Sequence, residues 1–344
     1  MVQQSIMTFA LLPLSTLIAL VLTNLVRKRA LKAKRLDIPN ERSSHSDPTP
    51  HGAGIAVVVA FILCLFFLLI ANKISNNEFI AIGLPSFFVA LIGRLDDLGK
   101  LTSAKWRLAG HFICAAVALW LVDGLAPLTV TNSPIAFGPI GNFLAVIYLV
   151  WMLNLFNFMD GIDLITGIET LTSCGALAIF LFVKTETDFW LVPAILAASV
   201  LGFMFLNIPP AKIFLGDVGS GFIGFVVATT SLVVAHKNAL IAWSIVILLA
   251  VFVSDATVTL MRRLIRRENV YIAHRLHAYQ NLSSRSNSHL KVSLGIGAIN
   301  ILWLMPIAWL VSNENIQPIV GLVSAYLPLV ALAIFFKAGK RSIS

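Results

Sequence analysis

Residues 140–163 read IGNFLAVIYLVWMLNLFNFMDGID, an apolar segment whose end carries two carboxamides and two carboxylates. The apolar part is long enough to cross a hydrocarbon core of roughly 30 Å as one helix. Carboxylates inside a bilayer are costly, so those that occur there have a functional or pairing reason. The segment therefore predicts a membrane helix that ends in a polar site.

Composition extends this prediction to the whole chain. Of the 344 residues, 58% are hydrophobic and only 12% are charged, and the mean hydropathy is +0.90. These values exclude an ordinary soluble domain. We predict an all-α, polytopic membrane helical bundle that forms a single domain over residues 1–344. About eleven transmembrane helices are expected, at residues 7–25, 53–72, 79–95, 105–122, 140–157, 164–183, 189–207, 219–235, 239–260, 292–312 and 318–336.

The basic residues predict the orientation of the bundle, because short cytoplasmic loops retain Lys and Arg. With the N-terminus outside, 22 of the 25 Lys and Arg residues lie on the cytoplasmic side, and only Lys73, Lys184 and Lys237 lie opposite. An odd number of spans puts the C-terminus inside. The net charge of +9 is then mainly a consequence of topology, and no nucleic acid is needed to explain it.

Cysteine usage adds no cross-links to this bundle. Cys64, Cys114 and Cys174 all fall within predicted spans and show no CxxC spacing. A disulfide framework or a zinc cluster is therefore not expected.

The third span ends in a pair of adjacent carboxylates, Asp96 and Asp97, followed by Lys100. Two neighbouring carboxylates repel each other and stay ionised together only beside a cation, either Lys100 or a metal. A catalytic role is one interpretation. A solvated helix end is the other.

The fifth span ends in Asn154, Asn157, Asp160 and Asp163. The two asparagines are three residues apart and share a helix face, and Gly161 allows the chain to turn so that both aspartates point to the same polar space. Oxygen ligands of this kind suit Mg²⁺ or Mn²⁺. Interhelical hydrogen bonding is the alternative and explains Asn154 well, but not the two aspartates.

A glycine-rich stretch that starts at Phe214 and contains Gly216, Asp217 and Gly219 precedes the eighth span. Unpaired N–H groups at a helix start favour phosphate oxygens. Asp217 is itself anionic, so beside a phosphate it is best explained by a divalent cation between the two. A glycine face for helix packing is the other interpretation.

The ninth span leads into four arginines and then into His274, Arg275 and His277. Guanidinium and imidazole groups bind phosphates and developing negative charge. The two histidines do not form an HExxH zinc motif. Glu169 and Asp255 lie inside predicted spans, where they either pair within the bundle or take part in catalysis.

Together these motifs resemble the polyprenyl-phosphate N-acetylhexosamine-1-phosphate transferases, the family of the WecA and MraY enzymes. The resemblance covers most of the chain, and its motifs occur in family order on one membrane face. The stretch from His274 to Gln280 resembles most closely the branch that starts O-antigen or related surface-polysaccharide synthesis. The motifs are residues 37–45 with 48–50, Asp96-Asp97, residues 157–163, residues 216–220 and residues 274–277.

The resemblance implies transfer of a sugar 1-phosphate from a UDP-N-acetylhexosamine to undecaprenyl phosphate, with release of UMP. It also implies a Mg²⁺ cofactor, with Mn²⁺ as a substitute, and a site that faces the cytoplasm from the inner membrane. A homodimer is one oligomeric state open to such a protein.

The resemblance also implies roles for single residues. Asp217 is expected to bind Mg²⁺, with Asn157 or Asp160 nearby, and Asp160 is also a candidate catalytic residue. Asp96 and Asp97 would either orient or deprotonate the lipid phosphate. The residues expected to bind substrates are His45, Lys100, Asn154, Asp163, Phe214, His274, Arg275 and His277.

Two other classes of membrane protein remain as alternatives. An ion-coupled transporter also has polar residues at helix breaks, but usually near the bilayer midplane rather than at one end of the spans. A CDP-alcohol phosphotransferase would use carboxylates and Mg²⁺ too. Its DGxxAR opening is missing, because Asp160-Gly161 is followed by Ile162-Asp163-Leu164.

Overall fold

The computed structural model describes residues 2–39, 44, 47–101, 103–129, 133–269 and 274–340. The regular structure of these residues is helical apart from two short antiparallel strand pairs. Strand β1 (Leu36–Asp37) pairs with β2 (Thr49–Pro50), and β3 (Leu128–Thr129) pairs with β4 (Pro134–Ile135). The helices are α1 (Val2–Lys32), α2 (Gly54–Ile70), α3 (Asn76–Asp97), α4 (Ala104–Leu121), α5 (Gly138–Met159), α6 (Ile165–Lys184), α7 (Leu191–Asn207), α8 (Asp217–Lys237), α9 (Ala239–Leu248), α10 (Ala250–Ile265), α11 (Ala278–Ser286), α12 (His289–Ile299), α13 (Met305–Ser312) and α14 (Pro318–Phe335). A 3₁₀ turn, Asp188–Trp190, precedes α7, and a π-helical turn, Asn300–Leu304, connects α12 to α13.

The helices confirm an all-α membrane bundle. Eight helical segments in the described part of the chain are long and apolar enough to cross a membrane, and the pair α9 and α10, bent by 62°, adds a ninth if it counts as one span. Each of the eleven predicted spans coincides with a helix or a broken helix. Helix α2 has only 17 residues, and α4 is not among the eight. The count of eleven and the orientation therefore stay predictions.

Helix α8 lies at the centre of the bundle. It is buried from Val218 to Ala235 and packs against α3 and α5. The sequence explains this position, because residues 218–235 carry no charged side chain and a helix that is apolar on all sides is buried. The polar start of α8 is thereby brought to the ends of two neighbouring helices.

The starts of α2 and α8 approach each other at two glycines. A Cβ atom on Gly54 would lie 2.2 Å from the Cα of Gly219, closer than side chains pack. Backbone bonds hold the same contact, since the Gly54 N–H donates to the Leu215 carbonyl at 2.8 Å and the Ala53 N–H to the Phe214 carbonyl at 3.0 Å. Gly219 therefore serves helix packing, which was one of the two interpretations of the glycine-rich stretch.

We expect Gly54→Ala to lower the free energy of unfolding by about 2 kcal/mol, because the added methyl group forces two backbones apart. Gly295→Ala is the matched control, since a Cβ atom there meets nothing within 4 Å. Thermal unfolding of the purified proteins in detergent measures both. Equal unfolding temperatures for the two variants would contradict the contact.

Candidate active site

A cleft of about 580 Å³ opens where the ends of α3 and α5 meet the start of α8. Its wall contains side chains from all of the carboxylate and carboxamide clusters that the sequence indicated. The predicted site residues that line it are Asp97, Asn157, Asp160, Asp163, Phe214, Asp217 and His274. Polar groups remote in sequence therefore share one pocket.

Asp97 caps helix α8. Its Oδ1 atom accepts a hydrogen bond from the backbone N–H of Asp217 at 2.9 Å, and its Oδ2 atom accepts one from Val218 at 3.3 Å. Gly216, with a φ of +78°, turns the chain so that both N–H groups face the carboxylate. Helix starts leave such N–H groups unpaired, and a negative charge there is favourable. The amides expected to bind phosphate thus already contact Asp97.

The side chain of Asp217 is held from α5. Asn157 donates through Nδ2 to Asp217 Oδ1 at 2.7 Å and to Ser220 Oγ at 3.2 Å. The Asn157 Oδ1 atom has no partner among the described residues. This arrangement leaves oxygens of both side chains available to a ligand in the cleft.

Arg107, on α4, joins the remaining predicted carboxylate to the cleft. Its Nη1 atom forms an ion pair with Asp96 and lies 3.6 Å from Asp217 Oδ2. Asp96 itself does not line the cleft. Arg107 was counted in the sequence only as a cytoplasmic positive charge, and its position beside Asp217 was not predicted.

Asp160 lies in the turn between α5 and α6 and is partly open to the cleft. Its carboxyl group is otherwise surrounded by protein, and this burial raises its pKa to about 8, with the carboxylates of Asp217, Asp163 and Asp97 adding to the shift. Like charges close together disfavour ionisation. The cleft therefore has an excess of negative charge and favours a bound cation.

The side chains of the cleft suit a magnesium ion whose remaining ligands come from bound phosphate groups and water. No group of three His, Cys, Asp or Glu side chains in the described ranges is arranged to bind a metal unaided. Mg²⁺ typically takes one or two protein carboxylates and completes its shell with water and substrate phosphates. Asp217, with the Asn157 oxygen beside it, matches that requirement.

Asp163 is fixed from three sides. Its Oδ2 atom accepts a hydrogen bond from the Ala211 N–H at 3.2 Å and lies 3.2 Å from the Nδ1 atom of His289. The Ser293 hydroxyl donates to the Asp163 carbonyl at 2.7 Å. His289 also lines the cleft and was not singled out in the sequence.

The loop before α11 contributes His274 to the cleft. The His274 ring stacks on that of His277, with centroids 5.1 Å apart. Burial lowers the pKa of His274 to about 3, so this ring is neutral at physiological pH. His277 is buried, 2% exposed, and supports the loop rather than lining the cleft.

Asp255, on α10, holds the start of α11. Its two oxygens accept hydrogen bonds from the N–H groups of Ala278 and Tyr279, both at 2.9 Å, and Oδ1 lies 3.3 Å from His277 Nδ1. These contacts favour the pairing interpretation of this intramembrane carboxylate. Asp255 therefore positions the histidine loop from outside the cleft.

Three further predicted residues lie outside the cleft lining. Lys100 is exposed, Asn154 donates to the Val150 carbonyl on its own helix at 2.7 Å, and Arg275 donates to Ser284 Oγ at 3.0 Å. His45 lies outside the described residues. Their substrate-binding roles stay predictions.

The chain is similar in sequence to known proteins. Residues 79–235, which contain Asp97, Asp160 and Asp217, match the family described as Glycosyl transferase family 4. The chain is 27% identical over 297 residues to a probable undecaprenyl-phosphate N-acetylglucosaminyl 1-phosphate transferase of Bacillus subtilis, covering 84% of this chain and 81% of that protein. It is 29% identical over 237 residues to a phospho-N-acetylmuramoyl-pentapeptide-transferase of Streptococcus pneumoniae, covering 66% of this chain and 70% of that protein.

We expect Asp97→Ala to lower the free energy of unfolding by ~1–2 kcal/mol, because α8 loses the group that accepts its first N–H bonds. Asp97→Asn retains one acceptor and should lose less. Glu186→Ala, at an exposed loop carboxylate, is the control and should leave the unfolding temperature unchanged. If Asp97→Ala behaved like that control, the cap would not contribute to stability.

Proposed function

We propose that the chain, whose residues 79–235 match glycosyl transferase family 4, is a member of that family and transfers a sugar 1-phosphate from a UDP-sugar to a polyprenyl phosphate. The products are UMP and a polyprenyl-diphosphate-linked sugar. We propose that Mg²⁺ is required and that Mn²⁺ can replace it.

The observation that carries this proposal is the convergence of Asp97, Asp160 and Asp217 on one cleft at the ends of membrane helices. Both proposed substrates are anions, and the cleft is itself rich in carboxylates. Such a site can bring two anions together only with cationic help. A lipid phosphate and a soluble nucleotide can also meet only at a membrane surface, where helix ends lie.

The proposed reaction is a phosphoryl-type transfer. A lipid phosphate oxygen attacks the sugar-bound phosphorus of the UDP-sugar, and the bond from that phosphorus to the UMP oxygen breaks. The chain's part is mainly to position the reactants and to balance charge. We assign Asp217 and Asn157 to holding the metal, which would neutralise charge on the diphosphate. Arg107, 3.6 Å from Asp217, keeps that carboxylate oriented.

We assign Asp97 to holding the cleft together rather than to removing a proton. Both of its oxygens already accept backbone hydrogen bonds from α8, which fixes the carboxylate against the start of that helix. A phosphate monoester loses its second proton near pH 6, so a lipid phosphate needs no strong base at neutral pH. Asp96, paired with Arg107, is likewise assigned to orientation.

The names of the chain's relatives and its histidine loop support a finer proposal for the substrates. We propose UDP-N-acetylhexosamine as donor and undecaprenyl phosphate as acceptor, since one relative's name specifies undecaprenyl phosphate and an N-acetylglucosaminyl 1-phosphate group. The product would start O-antigen or a related surface polysaccharide. The site would face the cytoplasm from the inner membrane, and Asp163, Phe214 and His274 would contact the nucleotide and sugar.

The alternatives fit the cleft less well. An ion-coupled transporter calls for polar residues near the middle of the spans, whereas Asp97 is the last residue of α3 and Asp217 the first of α8. The sequence lacks the opening motif of a CDP-alcohol phosphotransferase.

We expect the purified protein to release UMP from a UDP-N-acetylhexosamine only when polyprenyl phosphate and Mg²⁺ are both present. Asp217→Asn should reduce this rate by roughly 100-fold or more, because a metal ligand contributes at least as much as its supporting groups. A coupled assay for UMP measures both effects.

Glu186→Gln is the matched control, since it removes one carboxylate charge far from the cleft and should retain full activity. Release of UMP without a divalent metal, or parental activity in Asp217→Asn, would contradict the proposed site.

A further inference from the structure

Helix α6 and the π-helical turn that follows α12 are joined inside the bundle by a carboxyl group and a carboxamide that the proposed reaction does not use. Glu169 is 0% exposed and Asn300 is 1% exposed. Asn300 donates through Nδ2 to Glu169 Oε2 and to Thr172 Oγ1, both at 2.8 Å. Asn300 is also the first residue of the π-helical turn, an irregularity that often marks a functional position.

The contacts fix the orientation of the Asn300 amide. The Thr172 hydroxyl donates to the Ile168 carbonyl at 2.8 Å, so its oxygen faces Asn300 as an acceptor. Asn300 must therefore present its NH₂ group there, and both of its N–H bonds are used. The remaining oxygens, Glu169 Oε1 and Asn300 Oδ1, are buried and have no hydrogen-bond partner in the described part of the chain. Two buried acceptors thus lack a donor.

No positive charge within the described ranges compensates Glu169. None of the ion pairs formed by the described residues includes it. The titratable groups that interact with it electrostatically are Cys174 on its own helix and Tyr326 on α14, and neither side chain can be a cation. A carboxylate buried without a countercharge takes up a proton instead of staying ionised.

We propose that Glu169 binds a proton in the folded protein and pairs with Asn300 as a neutral carboxylic acid. The acid O–H supplies the donor that the two orphan oxygens lack, while Oε2 still accepts from the Asn300 amide. A metal cation fits less well, because one carboxyl oxygen and one amide oxygen fall far short of the about six oxygens that such ions require.

The protonated pair holds together two parts of the chain whose preceding segments meet at the cleft. Helix α6 begins two residues after Asp163, and α12 begins with His289, whose ring contacts that aspartate. Glu169 is therefore a positioning residue for the cleft. This consequence rests on the proposed function, whereas the protonation of Glu169 does not.

Infrared spectroscopy of the full-length protein in detergent tests the proposal. At neutral pH the parent should show the carbonyl stretch of protonated carboxylic acids, and Glu169→Gln should lose the share of that band that one group contributes. Asp160, whose pKa is about 8, contributes to the part that stays. Glu186→Gln, at an exposed carboxylate, should leave the band unchanged. A parent spectrum without a protonated acid, or a protonated-acid band of equal strength in the parent and in Glu169→Gln, overturns the proposal.

Thermal unfolding gives an independent test. Gln replaces the acid O–H with an N–H donor, so Glu169→Gln should unfold within about 2 °C of the parent. Glu169→Leu leaves one Asn300 N–H and the Asn300 carbonyl oxygen without a partner and should lower the midpoint by about 5 °C or more, and adding Asn300→Leu should recover most of that loss. If Glu169→Gln lost as much as Glu169→Leu, the group would be an ionised carboxylate and the proposal would be wrong. Neither measurement depends on transferase activity.

Discussion

The contact between the Asp97 carboxylate and the first N–H groups of α8 is the interaction on which the cleft depends. A helix start leaves N–H groups that have no partner within the helix, and these must find acceptors. Asp97 provides the acceptors from the end of α3. The close approach of Gly54 and Gly219 then removes the space in which α8 could shift. Asp217 is thereby directed toward Asn157 and the cleft.

The Asp97 carboxylate satisfies the N–H groups of α8, but it also adds negative charge to the cleft. The carboxylate that caps α8 adds its negative charge to those of Asp163 and Asp217, and these charges add to the burial that raises the pKa of Asp160. Arg107 offsets part of that charge. The rest is best offset by ligands, which explains why a cleft of this kind suits a metal that arrives with phosphate. Sites that hold like charges close together at a cost in stability are commonly functional sites.

The sequence was sufficient to predict an all-α membrane bundle and several residues that line one cleft. Long apolar segments and their polar ends carry that information directly. The bend at Leu249 between α9 and α10 was not predicted, because the apolar pattern continues through it. Arg107 looks like any cytoplasmic basic residue, and His289 is a lone histidine at a helix start. Their roles depend on which helices become neighbours, and hydropathy does not specify that.

The same limit applies to the carboxylates themselves. The sequence predicts a chemical or pairing role for Asp97 and Asp255. In the structure, each carboxylate accepts the first N–H bonds of another helix, α8 for Asp97 and α11 for Asp255. A capping residue that comes from another helix has no local motif, unlike the Ser75 and Glu78 capping box of α3. The distinction between an acid that caps a helix and one that binds a ligand therefore required the three-dimensional contacts.

The central claim is that Asp217 and its neighbours hold a divalent cation that joins the two substrates. An experimental structure with Mn²⁺ and a UDP-sugar bound, with the metal located by anomalous scattering, tests this claim most directly. The account predicts a metal peak about 2 Å from an Asp217 carboxylate oxygen and beside the diphosphate. A metal peak outside the cleft, or a UDP-sugar bound there with no metal between it and Asp217, would contradict the account.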